Sequence, residues 1–150
     1  MEEQKKQVLQ FLRSYPVMNI ALVLDSKPIS SVVVFWVDDD FTFYFATNSD
    51  SYKRKALVEN QHISFSVWDK DKMLVQADGQ AGLVPMPQAD EIINKIIQSM
   101  DNIKNFWPPV VSIGEGEYII YKIKVTWMKV LNLTNLKIRE KELPFITFKF

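Results

Sequence analysis

Two spacings of apolar residues divide this chain into many short strands and a few helices. From Val17 to Leu24 and again from Ile29 to Val37 the residues are mostly β-branched or aromatic. The polar tetrad Asp25-Ser26-Lys27-Pro28 between them reads as a turn in which Pro28 fixes one backbone angle, so the two runs predict a hairpin. A second turn at Asp38-Asp39-Asp40 leads into Phe41 to Ala46, where Phe41, Phe43 and Phe45 alternate with Thr42, Tyr44 and Ala46 at the period of a strand. His62 to Asp69 and Met73 to Val84 continue the strand pattern, with Gly79 and Gly82 permitting a bend, a bulge or a close backbone approach. In Tyr118 to Leu131, Ile119, Tyr121, Ile123, Val125 and Trp127 are expected on one face and Lys122, Lys124 and Thr126 on the other. A short strand is expected after Pro144.

Helical spacing occurs before this β-rich stretch and once within it. Val8, Phe11, Leu12 and Tyr15 follow the acidic Glu2 and Glu3, and Pro16 stops the element. Ala89, Ile92, Ile93, Ile96, Ile97 and Met100 form one apolar stripe behind Pro87, with Asp90 and Glu91 complementing the helix dipole, and the stripe is read as core or interface. Short strands with irregularly inserted helices indicate an antiparallel sheet or barrel of the mainly β, α+β kind.

Composition narrows the chemistry. A chain of 150 residues is the size of one ordinary domain, so residues 1–150 are taken as one unit. With no cysteine there is no disulfide, thiolate metal site or cysteine nucleophile. Lys and Arg number 18 against 18 Asp and Glu, a balance that disfavours polynucleotide binding. The N-terminal segment is charged and amphipathic, no run reaches membrane-spanning length, and a soluble cytoplasmic protein is expected. The three adjacent Asp residues point in divergent directions and read as a hairpin tip, not a metal site. His62, the only histidine, has no sequence partner for catalysis. The NFWPP segment (Asn105 to Pro109) is a stiff aromatic loop, and IGEGE (Ile113 to Glu117) lacks the third glycine and following helix of a nucleotide fingerprint. Aromatic residues make up 13% of the chain, which fits an aromatic β core, a planar ligand or an apolar interface.

The richest chemistry lies in YFATNSDSYKRKALVEN, Tyr44 to Asn60. An apolar strand ends at Thr47 and Asn48, hydroxyls follow at Ser49 and Ser51, and Lys53, Arg54 and Lys55 close the segment. Hydroxyls, free N–H groups at a helix start and a lysine suit a phosphate. Ser and Asp also serve as simple caps and Lys-Arg-Lys as a solvated face, but the flanking strand-like runs set these cations beside a sheet.

The order of hairpin, phenylalanine-rich strand, TNSDSYKRKALVEN turn and two further strands, from Asn19 to Val84, resembles small pyridoxamine 5′-phosphate oxidase-like proteins with the FMN-binding split-barrel fold. That resemblance implies an antiparallel split β-barrel with peripheral helices. It also implies an S-x-K phosphate grip at Ser51 and Lys53 with Thr47 and Asn48 beside it, an isoalloxazine lying against the backbone of Val34, Phe35 and Trp36, and a homodimer with two flavin sites. The apolar run Val32 to Val37 is then expected to be covered on one face by the barrel interior and on the other by flavin or a partner chain. Tyr52 stands where the oxidases carry Arg in S-R-K, so Arg54 and Lys55 are further candidates for the phosphate. Leu74 occupies the place of a flavin-side glutamine, and the oxidases' Arg- and His-rich C-terminal extension has no counterpart. The implied activity is that of an FMN-dependent oxidoreductase or flavin reductase acting with a small-molecule redox partner. Alternatives are a deazaflavin coenzyme or haem on the same fold, or a non-catalytic flavin-binding or stress-associated module. Because a flavin carries the redox chemistry itself, no catalytic side chain is assigned.

Overall fold

The computed structural model describes residues 2–101, 118–134 and 145–150. The NFWPP and IGEGE segments, with Phe106 and Trp107, lie outside the described residues. Helix α1 spans Glu2–Ser14, followed by β1 (Val17–Leu24), β2 (Lys27–Val34), β3 (Trp36–Val37) and β4 (Thr42–Asn48). Helix α2 (Tyr52–Glu59), β5 (His62–Asp69), β6 (Met73–Leu83), α3 (Gln88–Met100), β7 (Tyr118–Asn132) and β8 (Phe145–Lys149) complete the order. All strand pairings are antiparallel, in the order β2-β1-β5-β6-β7-β4-β3 with β8 beside β7. The sheet curls into a split barrel with peripheral helices, as the resemblance implies. No helix among the described residues is long and apolar enough to cross a membrane.

The split lies at Phe35. Ile29 to Val37 reads as one strand, but the chain changes hydrogen-bond partner within it. Lys27–Val34 pairs with β1, the Phe35 N–H donates to Pro16 O, and Trp36 and Val37 pair with Tyr44 and Phe43 of β4. One run of residues thereby links the two edges of the sheet. The preceding hairpin also differs from expectation. Asp25 and Ser26, with φ of 52° and 61°, form the two-residue turn, and Pro28 sits inside the edge strand, where a missing N–H is tolerated.

Alternation places Met18, Ile20, Leu22, Phe43, Phe45, Phe65, Val75 and Ile123 inside the barrel. Helix α1 adds Val8, Phe11 and Leu12, while Tyr15 lies beyond the helix and is exposed. A second cluster forms on the outer face, where Ala89, Ile93 and Ile96 of α3 cover Val34 and Ile120, with Trp36, Tyr44 and Ala46 packed around them. The outer side of the apolar run is therefore covered by the chain's own α3 at Val34 and Trp36, and Val32 alone stays open, 42% exposed.

On β7 the expected alternation holds through Val125 and then changes phase. Gly79 pairs with Val125 but Asp78 with Trp127, so Thr126 is an extra residue, and Met128 and Val130 turn inward in place of Trp127. Gly79 is required at this bulge, because a Cβ there would lie 2.5 Å from the Lys124 carbonyl oxygen, whereas one on Gly82 would meet nothing within 4 Å. At the tip between β3 and β4, the Asp38 carboxylate accepts the N–H groups of Asp40 and Thr42, each at 2.9 Å, holding Phe41 at a φ of 63°.

Candidate functional site

β4 delivers the site. Its inward positions Phe43, Phe45 and Thr47 follow one another on one face, and Thr47 is a buried polar residue at 7% exposure. Its Oγ1 lies 2.8 Å from Ser51 Oγ. The chain turns between them, with the Ser51 N–H donating to Asn48 O at 3.2 Å. Ser51 then caps α2 from an extended conformation, its Oγ accepting the Arg54 N–H at 3.1 Å.

This cap leaves donors in excess. A helix start has N–H groups without intrahelical partners. Ser51 takes that of Arg54, and no acceptor for the Tyr52 or Lys53 N–H is found among the described residues. The first turn of α2 carries no acidic side chain to offset its positive end. Thr47 and Ser51 need only one hydrogen for the bond between them, so a second hydroxyl hydrogen is available to a ligand. Lys53 is partly buried, and that burial pulls its pKa below the usual lysine value. Uncapped donors beside a desolvated ammonium suit an anionic oxygen.

The other candidates fall in different places. Asn48 is exposed at the end of β4, paired with Tyr118. Lys55 is exposed, its Nζ 5.3 Å from the centre of the Tyr52 ring, which is itself 72% exposed. Val34 is under α3 and Phe35 is fully buried in the barrel. Trp36 stacks on Tyr44 at 5.2 Å and carries Lys95 Nζ 4.9 Å above its ring. Phe35 and Trp36 line a cavity of about 230 Å³ with Arg13, Lys95 and Ser99. Leu74 pairs with Leu131 near the end of β7, whereas Thr47 pairs with Ile119 near its start, a separation of roughly 40 Å along the strand path. The single chain thus joins Thr47, Asn48, Ser51 and Lys53 where β4 turns into α2, sets Trp36 farther along the β3–β4 edge, and leaves Leu74 remote. His62 is exposed on β5 opposite Gln80.

One pairing had no local signal. Arg54 Nη1 donates to the Tyr121 hydroxyl at 3.0 Å, across 67 positions of sequence. Only the pairing of Phe45 with Tyr121 makes the two neighbours.

Comparison with known proteins agrees with this architecture. A family model described as pyridoxamine 5′-phosphate oxidase matches residues 4–132. No curated protein matches the sequence. Among solved structures, the General Stress Protein 26 of Bacillus anthracis aligns with a TM-score of 0.71 at 17% identity, covering 99% of each chain. A putative pyridoxamine 5′-phosphate oxidase of Listeria innocua aligns at 0.64 and 18% identity, over 88% of this chain and 99% of that one. A pyridoxamine 5′-phosphate oxidase-related, FMN-binding protein of Nostoc punctiforme aligns at 0.57 and 10% identity, over 99% and 94% respectively.

Proposed function

The chain belongs to the pyridoxamine 5′-phosphate oxidase family, and from that premise we propose that it binds FMN at the start of α2 and acts as a small flavin-dependent oxidoreductase or flavin reductase. The observation that carries this reading is the surplus of donors at one strand end. The Tyr52 and Lys53 N–H groups, the Thr47–Ser51 hydroxyl pair and the partly buried Lys53 ammonium all lack an anionic partner among the described residues. The Nostoc structure's description as FMN-binding supports the same ligand.

In this reading Thr47, Asn48, Ser51 and Lys53 hold the phosphate, and Lys55 adds charge from the solvent side. Val34, Phe35 and Trp36 flank the ring through their backbone, and Leu74 joins the site only through a second copy of the chain. FMN, when bound, supplies the hydride- and electron-transfer chemistry. The residues of the chain grip the phosphate, exclude water from one ring face and admit a small-molecule redox partner to the other.

The test is the visible absorption spectrum of the purified protein before and after addition of FMN, followed by anaerobic addition of NADH or NADPH. Flavin bands that bleach with a nicotinamide donor are expected, with poor turnover of pyridoxamine 5′-phosphate. A haem or deazaflavin spectrum with no uptake of FMN would sink the assignment. Bound FMN that no nicotinamide donor reduces would favour carriage without turnover, a second reading supported by the stress-protein name of the Bacillus anthracis structure.

A further inference from the structure

We propose that Arg54, anchored by the Tyr121 hydroxyl, is the second phosphate-binding cation of this site and makes it selective for a flavin ending in a phosphomonoester; the inference rests on the flavin reading above. The residue between Ser51 and Lys53 cannot fill that place, since Tyr52 is uncharged and 72% exposed, with Lys55 resting over its ring. These two side chains engage each other on the solvent side. Arg54 goes the other way. Side chains of a helix lean toward its N-terminus, so the stem of Arg54, in the first turn of α2, runs back over the Thr47–Ser51 turn to which its own N–H is bonded.

The far end of the side chain is fixed by Tyr121. That ring is 2% exposed and stacks on Phe45 at 5.6 Å, and Phe45 is the inward neighbour of Thr47 on β4. The phenol therefore stands beside the turn as a rigid acceptor. A guanidinium offers five N–H donors, and the 3.0 Å bond to Tyr121 uses one. Because the anchor is neutral and no carboxylate forms a salt bridge with Arg54 among the described residues, its full charge stays available to an anion. A cation whose rotamer is already held loses less entropy when it engages a phosphate.

Calorimetric titration of the wild type, Arg54→Ala, Arg54→Lys and Tyr121→Phe with FMN and with riboflavin tests this. Arg54→Ala is expected to weaken FMN about ten- to a hundredfold while leaving riboflavin affinity unchanged, as for loss of one charge-assisted contact. Arg54→Lys should recover part of that loss. Tyr121→Phe keeps the packed ring and removes only the anchor, and a smaller loss of about two- to tenfold, again confined to FMN, is expected. Unchanged FMN binding in Arg54→Ala, or equal losses for both ligands, would overturn the role of Arg54 while the wild-type preference for FMN leaves the phosphate site standing. Unchanged FMN binding in Tyr121→Phe would overturn the anchoring role. A wild type that binds both flavins equally would remove the phosphate site itself.

Discussion

Lys53 shows how a single side chain ties burial to ligand affinity. Replacing it with Ala removes one charge-assisted contact, so a loss of about 1.5–3 kcal/mol in FMN binding with little change for riboflavin is expected from titration. Lys55→Ala should cost less, because its ammonium is exposed and lies over the exposed Tyr52 ring. Desolvation lowers the Lys53 pKa from 10.5, so the flavin-free protein releases this proton at a lower pH than an exposed lysine. A phosphate favours the charged form. FMN affinity is therefore expected to be full below the lowered pKa and to fall as pH rises through it, with riboflavin as the control for titration of the ring. The same shift has the opposite consequence for the empty protein. Between the lowered pKa and 10.5 the unfolded chain holds the proton that the folded chain has lost, so stability without ligand rises with pH across that window. A denaturation series of wild type against Lys53→Met at alkaline pH reads this directly, and parallel curves would refute the buried-ammonium account.

Among the elements, β7 carries the greatest demands. Its first half pairs with β4 and its second half with β8, while β6 runs along the other side throughout. The bulge at Thr126 lets one strand serve both halves of the curl, because the extra residue changes which side chains face inward. Gly79→Ala should destabilise the protein by about 1–3 kcal/mol in chemical denaturation, since its Cβ would press on a ladder carbonyl and not on a movable side chain. Gly82→Ala is expected within about 0.5 kcal/mol of wild type. Equal effects at the two glycines would show that the close approach at position 79 is not what that residue is for. Helix α3 matters in a different way, as the cover over Val34 and Trp36. Its apolar stripe was legible at helical spacing, and Ala89, Ile93 and Ile96 are indeed buried while Ile97 is 45% exposed. Which sheet face it would cover was not legible, because a stripe of aliphatic residues matches any apolar surface of suitable width.

At the scale of the molecule, the outward side of β1, β5 and β6 presents Asn19, Ala21, Ser64, Ser66, Gln76 and, from β7, Trp127 along a groove of about 390 Å³. Val23, Val32 and Trp68 add exposed apolar area on the same chain. A homodimer is therefore expected in light scattering at micromolar concentration, and a monomer that still binds FMN would rule out a site shared between copies. The sequence by itself determined the strands, the main helices and the gathering of hydroxyls and cations where β4 turns into α2, because alternation, helical spacing, a capping serine and adjacent cations are all read from residues close together in the chain. Contacts between residues distant in sequence were decided only in three dimensions. The change of partner at Phe35, the phase shift at Thr126 and the bond from Arg54 to Tyr121 all depend on which strands lie side by side. Local spacing carries no record of that choice, since backbone hydrogen bonds are alike for every residue type and only the closed sheet selects among the pairings.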